Sequence, residues 1–468
     1  MSIKLYNTMS RTQEEFKSIE DGKVSMYCCG PTVYNYAHIG NLRTYIFEDL
    51  LHRTLEHAGY KVDHVMNITD VGHLTGDGDD GEDKISKRAK ETGKSVWDIA
   101  RFYTDAFFRD EEHLNITRPG TVCKATDHIQ DMIELIKKLE ANGHTYVSGG
   151  NVYFSIDTID DYGKLARLSL DDLKEGARIE VDSNKRNPKD FVLWFTNSKF
   201  KDQAMVWPSP WGVGYPGWHI ECSAMSSRYL GDHFDIHCGG IDAIPVHHTN
   251  EIAQSEAASG KKPWVNYWCH GEFLLNDKGK MSKSSGEFLT LSVLEGKGYN
   301  ALDYRYFCLS GHYRSQLKFS FEALDHAKSA RESLVKRVAE LKKAGAAAPG
   351  EKASSYRDQF FAAMENDLMA PQALAVLWSM LKDKEVSDGE KLSVLLEMDE
   401  ILGLRLDEVK AADEGGSDIP DEIRALAEER TAAKKAKDFA RADAIRAELK
   451  DKGYLIKDTP QGPVLERV

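Results

Sequence analysis

Residues 22–67 have the sequence GKVSMYCCGPTVYNYAHIGNLRTYIFEDLLHRTLEHAGYKVDHVMN, and this stretch decides the fold. Val24–Cys28 is an apolar run of strand length, and Val62–Ile68 is another. Between them, Leu42–Ala58 repeats apolar side chains close to the 3.6-residue helical period and meets a natural stop at Gly59. Because a strand, a helix and a strand of these lengths form a right-handed crossover, the stretch predicts two neighbouring parallel strands.

The rest of the chain falls into three parts with different patterns. Downstream of residue 67, helical and strand-like segments keep alternating, whereas residues 149–200 hold short strand-like runs separated by polar turns. Beyond Phe321 strand signals nearly vanish, and helices are predicted up to a small basic unit that ends in Gly- and Pro-containing turns. The predicted fold class is α/β: a doubly wound, Rossmann-like parallel-sheet catalytic domain with an inserted domain, followed by an α-helical bundle and a small C-terminal domain. The further predicted elements are the helices Ser95–Leu114, Asp127–Asn142, Glu221–Leu230, His247–Ala258, Ala323–Lys343, Ser355–Asn366, Pro371–Leu381 and Glu390–Leu402, and the strands Val152–Ile156 and Phe234–Cys238.

Composition limits the class of protein. The 468 residues suffice for about two to four domains. Because no apolar run could span a bilayer and no signal core is recognisable, a cytoplasmic protein without membrane contact is expected. The net charge of −14 argues against indiscriminate binding to nucleic acid, although it allows a local basic surface that docks one RNA. Seven cysteines, an odd number spread over a long chain, predict thiols rather than a disulfide framework.

Two short stretches predict a nucleotide triphosphate site. His38-Ile39-Gly40-Asn41 opens the first helix, where backbone N–H groups favour phosphate and a glycine admits a ribose or adenine. Lys280-Met281-Ser282-Lys283-Ser284 places two ammonium groups on a polar loop, where they can stabilise charge that develops in a transition state. Gly239-Gly240-Ile241-Asp242 follows a predicted strand, so its carboxylate can accept hydrogen bonds from ribose hydroxyls. Together the stretches predict that a small acid is activated by ATP, which brings Mg²⁺ on its phosphate oxygens.

A metal site is predicted beside the same crevice. His247 and Glu251 are four residues apart and project from one face of a predicted helix. Cys29 follows the first strand, and Cys222 lies in a segment that the predicted sheet brings to the same place. Two thiolates, an imidazole and a carboxylate suit tetrahedral zinc. From spacing alone, other donors compete for the ion; these are Cys28, Cys238, His237 and His248.

The motifs as a set resemble those of the class I cysteinyl-tRNA synthetases, over almost the whole chain. The matching segments are 27–34 with 38–40, 67–70, 185–188 with 190–194, 217–225, 247–255 and 280–284. The resemblance implies that ATP activates L-cysteine to cysteinyl adenylate, which is then transferred to the 3′ end of tRNA(Cys). It also implies one zinc ion that binds the thiolate of the substrate, Mg²⁺ with ATP, and a monomer.

The resemblance also implies roles for individual residues. The zinc ligands would be Cys29, Cys222, His247 and Glu251, with Cys29 preferred to Cys28 because it directly precedes Gly30 in the family pattern. The catalytic residues would be His38, Asn41, Lys280 and Lys283. ATP would be bound by His38, Gly40, Asn41, Gly239, Gly240, Asp242 and Lys283. Cysteine would be bound by Gly30, Thr32, Thr69 and Trp218, and tRNA by Lys434, Asp443, Arg446 and Asp458.

The domain plan implied by the resemblance has six parts. Residues 1–118 and 201–275 would form the two halves of the catalytic domain, with residues 119–200 as the inserted connective domain. Residues 276–320 would hold the lysine-containing loop and a region that contacts the tRNA stem. Residues 321–410 would form the helical bundle, and residues 418–468 would form the anticodon-reading domain.

Two features leave alternatives open. Asn41 stands where the class signature has His, and an amide can donate to phosphate but carries no charge. The function also has competitors: a ligase that joins activated cysteine to an amino sugar, and a non-catalytic zinc protein that binds RNA. A ligase of the first kind would need no tRNA-reading tail. A binding protein would need no phosphate-binding residues such as His38, Lys280 and Lys283.

Overall fold

The structure is a computed structural model that describes residues 2–71, 84–167, 183–197, 204–276, 279–280, 288–412, 421–436, 438–459 and 462–467. Only the backbone is described at residues 279–280, 421, 424, 435, 457–459 and 462–467. The chain divides into two compact units, Met1–Val409 and Lys410–Val468. Among the described residues, no helix combines the length and apolar character needed to cross a membrane.

The strands and helices are numbered along the chain. The strands are β1 (Lys4–Asn7), β2 (Thr12–Glu15), β3 (Lys23–Cys28), β4 (Lys61–Ile68), β5 (Thr121–Lys124), β6 (Thr145–Ser148), β7 (Asn151–Phe154), β8 (Phe191–Phe195), β9 (Tyr215–Pro216), β10 (Phe234–Gly240), β11 (Val265–Gly271), β12 (Leu274–Asn276), β13 (Gly279–Lys280), β14 (Leu317–Lys318), β15 (Tyr454–Thr459) and β16 (Gly462–Arg467). The helices are α1 (Ile39–His57), α2 (Lys84–Thr92), α3 (Val96–His113), α4 (Ile129–Ala141), α5 (Trp218–Leu230), α6 (Thr249–Ser259), α7 (Leu291–Gly296), α8 (Ala301–Leu309), α9 (Phe321–Ala344), α10 (Glu351–Glu365), α11 (Ala370–Lys382), α12 (Asp388–Leu402), α13 (Asp421–Lys435) and α14 (Phe439–Asp451).

A five-stranded parallel sheet forms the centre of the first unit. Its strand order is β11-β10-β3-β4-β5, and every neighbouring pair is parallel. The order runs outward in both directions from β3, so the predicted doubly wound fold is confirmed. In such sheets a ligand binds beyond the carboxyl ends of the strands where the order reverses, here between β3 and β10. The strand β11 was not predicted from the sequence.

A second, antiparallel sheet of four strands packs as β6-β7-β8-β9. Its inner side chains, such as Tyr153 and Val192, are buried in a small separate core. The elements that precede this sheet in the chain, β5 and α4, are part of the central α/β region. The strand β5 pairs with β4 of the central sheet, and α4 packs against α5 and α6. The small sheet therefore begins at Thr145, downstream of the position 119 at which the inserted domain was expected to start.

The carboxyl-terminal half contains the predicted helices α9 to α12, whose ends lie within a few residues of the expected positions. The second unit differs from its prediction. Its helices α13 and α14 are followed by an antiparallel hairpin of β15 and β16, where only turns were expected. Apolar side chains of the helices and of β15, among them Ile423, Leu449 and Ile456, form the core of this unit.

Two buried carboxyl groups, one on α1 and one on α3, lie inside the first unit. Glu48 on α1 and Glu111 on α3 are 1% and 2% exposed. Neither oxygen of Glu111 has a hydrogen-bond partner within the described residues. Burial, together with nearby Asp49 and against the opposing charge of Arg118, raises the pKa of Glu111 to about 8. Burial and neighbouring Glu111 likewise raise the pKa of Glu48 well above its usual range.

Replacing Glu111 by Gln is expected to stabilise the protein more at alkaline than at acidic pH. A carboxyl group with a raised folded-state pKa contributes stability that is present below its ordinary pKa and is lost as pH rises through about 8. The Glu111→Gln variant should therefore gain about 2–4 kcal/mol at about pH 8 and less than about 1 kcal/mol at about pH 5. Urea denaturation at both pH values measures this gain. Glu112→Gln, at the exposed neighbouring position, is the control, and a gain for Glu111→Gln that does not depend on pH would contradict the prediction.

Candidate active site

The candidate site lies at the carboxyl ends of β3 and β10, where the strand order reverses. Cys29 follows β3 directly, and its backbone N–H donates to the carbonyl of Cys238 on β10 at 3.2 Å. The loop from Gly30 to Ala37 then leads into α1. Both α5 and α6 begin at the same edge of the sheet, and the π-helical turn Ile244–His248 leads directly into α6. These segments bring Cys222, His247 and Glu251 toward Cys29.

His38 and Asn41 cap each other at the start of α1. The backbone N–H of Asn41 donates to Nδ1 of His38 at 3.1 Å, and the backbone N–H of His38 donates to Oδ1 of Asn41 at 3.3 Å. One of the backbone donors that the sequence offered to phosphate is therefore already used. Because Nδ1 accepts a hydrogen bond, the neutral ring carries its proton on Nε2, which becomes a donor. Asn41 thus helps to fix the orientation and tautomer of His38.

The chain on both sides of the lysine-containing loop contacts the start of α1. Before the loop, β12 lies close to Gly40, where a Cβ atom would be 3.7 Å from Cβ of Leu274. After the loop, the carbonyl of Leu289 accepts a hydrogen bond from the backbone N–H of Ile39 at 2.8 Å. The ring of Phe288 also meets the ring of His38 edge to face. These contacts place both ends of the lysine-containing loop next to His38-Ile39-Gly40-Asn41, at the start of α1.

The catalytic lysines are only partly covered by the structure. Lys280 ends β13, where its backbone pairs with Leu275 of β12, and its side chain is not among those described. Lys283 lies outside the described residues. Their predicted roles remain predictions.

The glycine motif after β10 lies at the same edge of the sheet. Gly239 and Gly240 pair with His270 and Gly271 of β11, and exposed Asp242 follows in a short 3₁₀ turn. A Cβ atom on Gly239 would come within 2.7 Å of the ring of His248. Packing against His248 is thus sufficient reason for a glycine at 239.

Among the residues that the structure describes, two sets of four donors could hold a metal ion, and they share Cys29 and Glu251. One set adds Cys222 and His247, and the other adds His237 and His248; within each set all donor atoms lie within 4.8 Å of one another. Tetrahedral zinc places its donors about 3.3–3.8 Å apart, given zinc–ligand bonds of about 2.0–2.3 Å. The structure therefore brings together all four predicted ligands and two of the predicted competitors.

The carboxylate of Glu251 favours the set with Cys222 and His247. The histidine rings alone do not separate the sets, because the nitrogens of His248 contact Cys29 at 3.3 Å and His270 at 2.8 Å, and those of His247 contact Glu251 at 2.8 Å and His219 at 3.0 Å. Nε2 of His237 is bonded to Oε2 of Glu251 at 2.9 Å. In contrast, Oε1 of Glu251 lies 2.8 Å from Nε2 of His247 yet makes no hydrogen bond within the described residues. A buried carboxylate oxygen and a ring nitrogen that converge in this way suit a shared cation.

The charges of the favoured donors also suit a metal cation. A hydrogen bond from Cys29 is the main cause that lowers the pKa of the Cys222 thiol to about 6, and the same contact raises the pKa of Cys29. Although burial opposes it, the carboxylate of Glu251 raises the pKa of His247 to about 10. Burial likewise opposes ionisation of Glu251, but His247 and His237 lower its pKa to about 2. The two sulfurs therefore share one proton beside an ion pair, and a metal would replace the protons.

The predicted cysteine-binding residues lie together beside Cys29. Thr32 and Thr69 form an isolated parallel bridge between the loop after β3 and the end of β4. Buried Asn67 links them to Gly30, because its side chain accepts from the backbone N–H of Gly30 at 2.9 Å and donates to Oγ1 of Thr69 at 3.1 Å. A Cβ atom on Gly30 would lie 1.6 Å from the carbonyl oxygen of Asn67, so no other residue fits there.

Trp218 joins this pocket to the metal donors. It is the first residue of α5, and its ring stacks on His247 with centroids 4.4 Å apart. Four residues later on the same helix is Cys222. One helix therefore supplies both a wall of the pocket and a donor.

Several residues that support the site were missed by the sequence prediction. His219 places Nδ1 3.0 Å from Nδ1 of His247, and His270 connects His248 to Thr8. Arg43 on α1 donates to four backbone carbonyls, including those of Glu272 and Phe273, which lead into β12. The predicted motifs already contained His219, but nothing local marks His270 or Arg43 as supporting residues.

The predicted tRNA-binding residues lie in the second unit. Lys434 on α13 and both Asp443 and Arg446 on α14 are exposed. The backbone of Asp458 lies in β15, but its side chain is not among those described. Arg441, which the sequence suggested as part of the basic cluster, pairs with Glu429 at 2.6 Å.

Comparisons with known proteins show the family to which the chain is similar. A family profile described as "tRNA synthetases class I (C) catalytic domain" matches residues 15–329. A second, described as "Cysteinyl-tRNA ligase anticodon binding domain", matches residues 416–462. Curated relatives named cysteine–tRNA ligase include one from Treponema denticola, 57% identical over 98% of each chain. Another, from Borrelia hermsii, is 47% identical over the whole of each chain.

Solved structures support the fold. The methionyl-tRNA synthetase of Mycobacterium tuberculosis, in complex with methionyl-adenylate, matches with a TM-score of 0.55 and 18% identity. That match covers 84% of this chain and 92% of the other. A leucyl-tRNA synthetase from Agrobacterium radiobacter matches with a TM-score of 0.56 and 11% identity, over 84% of this chain and 85% of the other. The sequence profiles, the full-length relatives and the crevice geometry lead to one conclusion: this chain belongs to the cysteinyl-tRNA synthetase family, a family of ligases built on the class I catalytic domain.

Proposed function

We propose that this chain activates L-cysteine with ATP and transfers it to the 3′ end of tRNA(Cys), through the residues brought together at the β3–β10 crevice. The observation that supports this most is that three groups of candidate site residues lie close together. The phosphate-binding signature at His38, the pocket at Thr32 and Thr69, and the metal donors around Cys29 all lie along one stretch of chain and its immediate neighbours. The proposal keeps the expected cytoplasmic location and monomeric state.

His38 would act on the triphosphate as a neutral hydrogen-bond donor. Its Nδ1 is held by Asn41, so its Nε2–H can donate to phosphate as negative charge moves toward the leaving pyrophosphate. Asn41 in this view is a positioning residue. The larger positive charge would come from Lys280 and Lys283, on a loop whose two ends pack against α1. Mg²⁺ would accompany ATP through the phosphate oxygens.

Cys29, Cys222, His247 and Glu251 fit zinc by donor chemistry, by convergence and by the buried oxygen of Glu251 that lacks a hydrogen bond. When bound there, zinc supplies a soft Lewis acid that prefers the sulfur of cysteine to the oxygen of serine. His219 would hold the orientation of His247 through the contact between their Nδ1 atoms. Trp218 stacks on the same ring and would exclude water from the side chain of the substrate.

The shape of the pocket alone could not give the required selectivity. Serine differs from cysteine by one atom, and small differences in size yield roughly 1–3 kcal/mol of discrimination. A metal that binds sulfur adds a chemical difference, because an alcohol must lose a proton of much higher pKa to become a comparable ligand. The proposed site therefore needs no separate editing domain.

The two alternative functions are not favoured. A ligase with an amino-sugar acceptor has no use for the anticodon-binding domain whose profile matches residues 416–462. A non-catalytic RNA-binding protein has no use for His38 oriented by a capping residue at the edge of the sheet.

Removing the second unit is expected to separate the two steps of the reaction. A chain that ends at Val409 should keep cysteine-dependent exchange of labelled pyrophosphate into ATP, because the crevice lies wholly within the first unit. Its kcat/KM for tRNA should fall at least about 100-fold, since a charged, base-reading surface is lost. The full chain provides the reference for both assays. An equal loss in exchange and in acylation would contradict this division of roles.

A further inference from the structure

A patch of aromatic rings and cations lies beside the site, and the proposed activation of cysteine assigns no role to it. We define this aromatic–cation patch by Tyr34, Tyr36, Lys84, Lys94 and Phe102. Tyr34 and Tyr36 belong to the loop between Thr32 and His38, and the other three lie on or next to α2 and α3. Phe102 is 45% exposed, although it is a large apolar side chain.

Rings and cations alternate across the patch. The ring of Phe102 meets Tyr36 edge to face at 6.0 Å between centroids, and Nζ of Lys94 lies 5.1 Å from the centroid of Phe102. Nζ of Lys84 lies 5.3 Å from the centroid of Tyr34. Beneath them, buried Tyr103 contacts Tyr36 at 5.1 Å and accepts a hydrogen bond from Arg88. These contacts hold the rings in place, while Tyr36 and Phe102 keep exposed surface.

Cations are concentrated within α2 itself. The nine residues of α2, with the sequence KISKRAKET, contain four cations and one acid. The complete chain carries a net charge of −14. A positive groove combined with exposed rings is the combination by which proteins bind single-stranded nucleic acid, because cations contact phosphates and rings stack on bases.

The fold places the patch on the catalytic side of the sheet. Tyr36 lies two residues before His38, at the carboxyl end of β3. The helix α3 runs from that edge back toward the start of β5, so its first turns, which carry Phe102, lie near the site. A nucleic-acid strand whose bases stack on the patch would lie next to the place where the activated cysteine would form.

We propose that the aromatic–cation patch binds the single-stranded 3′ end of the tRNA, with Phe102 stacking on a base and Lys94 contacting a phosphate. The proposal rests on the proposed tRNA-charging function and adds a surface that positions the acceptor nucleotides. Single-stranded RNA suits this patch better than a duplex, because duplex bases do not offer their faces to a side chain.

The test compares the binding of two RNAs, full-length tRNA(Cys) and the same tRNA without its single-stranded 3′ nucleotides, to wild type and Phe102→Ala. Wild type should bind the truncated tRNA more weakly than the full-length one. Phe102→Ala should bind full-length tRNA about 5- to 100-fold more weakly than wild type, and should bind truncated tRNA as wild type does. Phe102→Trp keeps a stacking surface and should restore the affinity. Lys94→Gln should lower the number of counterions released on binding, measured from the salt dependence of the affinity, by about one.

Tyr229→Ala is the matched control, because Tyr229 is a 41%-exposed aromatic residue near the end of α5 and is not part of the patch. The proposal is overturned if Phe102→Ala weakens the binding of full-length and truncated tRNA equally, or changes the binding of neither. It is also overturned if cysteine-dependent pyrophosphate exchange falls in parallel with RNA affinity, since that indicates a general structural defect. If wild type itself shows neither exchange nor acylation, the proposed function fails instead.

Discussion

A Cys222→Ser protein is expected to lose at least about 100-fold in kcat/KM for cysteine, more than is typical of changes outside the metal ligands. Cys222 is one of two sulfurs in the favoured donor set, and its contact with Cys29 lowers its pKa to about 6. A serine hydroxyl stays protonated at neutral pH, so the variant should bind less zinc and lose its selective contact with sulfur. Metal analysis of the purified protein and cysteine-dependent pyrophosphate exchange measure the two effects.

Two controls separate this loss from a general defect. ATP binding should be unchanged. The predicted ATP-binding residues His38 and Gly40 lie at the start of α1 and belong to neither set of metal donors. Cys28→Ser is the matched variant, since Cys28 is buried on β3 next to Cys29 yet belongs to neither donor set. Full metal content and normal cysteine activation in Cys222→Ser would refute the assigned ligand set.

Arg305→Ala is expected to lower the free energy of unfolding of the first unit by about 3–5 kcal/mol, the usual effect of removing one partner of a buried ion pair. Arg305 on α8 is fully buried and lies 2.6 Å from Asp49 on α1. Its guanidinium also donates to the carbonyls of Leu402, at the end of α12, and of Leu114, after α3. Truncation would leave the Asp49 carboxylate without this partner and two backbone segments without a common donor.

Urea denaturation followed by a probe in the first unit measures the loss. Arg337→Ala is the control, because Arg337 forms a partly exposed pair with Asp388 at 2.8 Å and should change stability by less than about 1 kcal/mol. A double variant, Arg305→Met with Asp49→Leu, should recover part of the loss, since it removes both charges together. If Arg305→Ala is as stable as Arg337→Ala, Arg305 does not hold these segments together.

The sequence was most informative where spacing within one element determines geometry. The four-residue spacing of His247 and Glu251 puts both on one helical face, and in the structure Nε2 of His247 lies 2.8 Å from Oε1 of Glu251. Alternation of strands and helices likewise predicted the parallel sheet. In both cases the information is local or follows from rules of chain connection.

Long-range contacts could not be predicted from the sequence. Cys29 and Glu251 have four further donors around them, and only the contacts of the two Glu251 oxygens with His237 and His247 argue for one set over the other. Arg43 and Arg305 look like ordinary charged helix residues until the carbonyls that they bind are known. The hairpin of β15 and β16 was missed because its turn residues were more conspicuous than its short strands. Asn41 gained a positioning role that composition could not suggest.

A metal contact to sulfur is proposed to select cysteine when this chain charges tRNA(Cys). The most direct measurement is acylation of tRNA(Cys) by the zinc-loaded protein in a mixture of equally concentrated labelled cysteine and serine. Cysteine should be attached at least about 1,000-fold faster than serine, beyond the roughly 10–200-fold that pocket shape supplies. Attachment of serine at a rate close to that of cysteine, or no attachment of either, would contradict it.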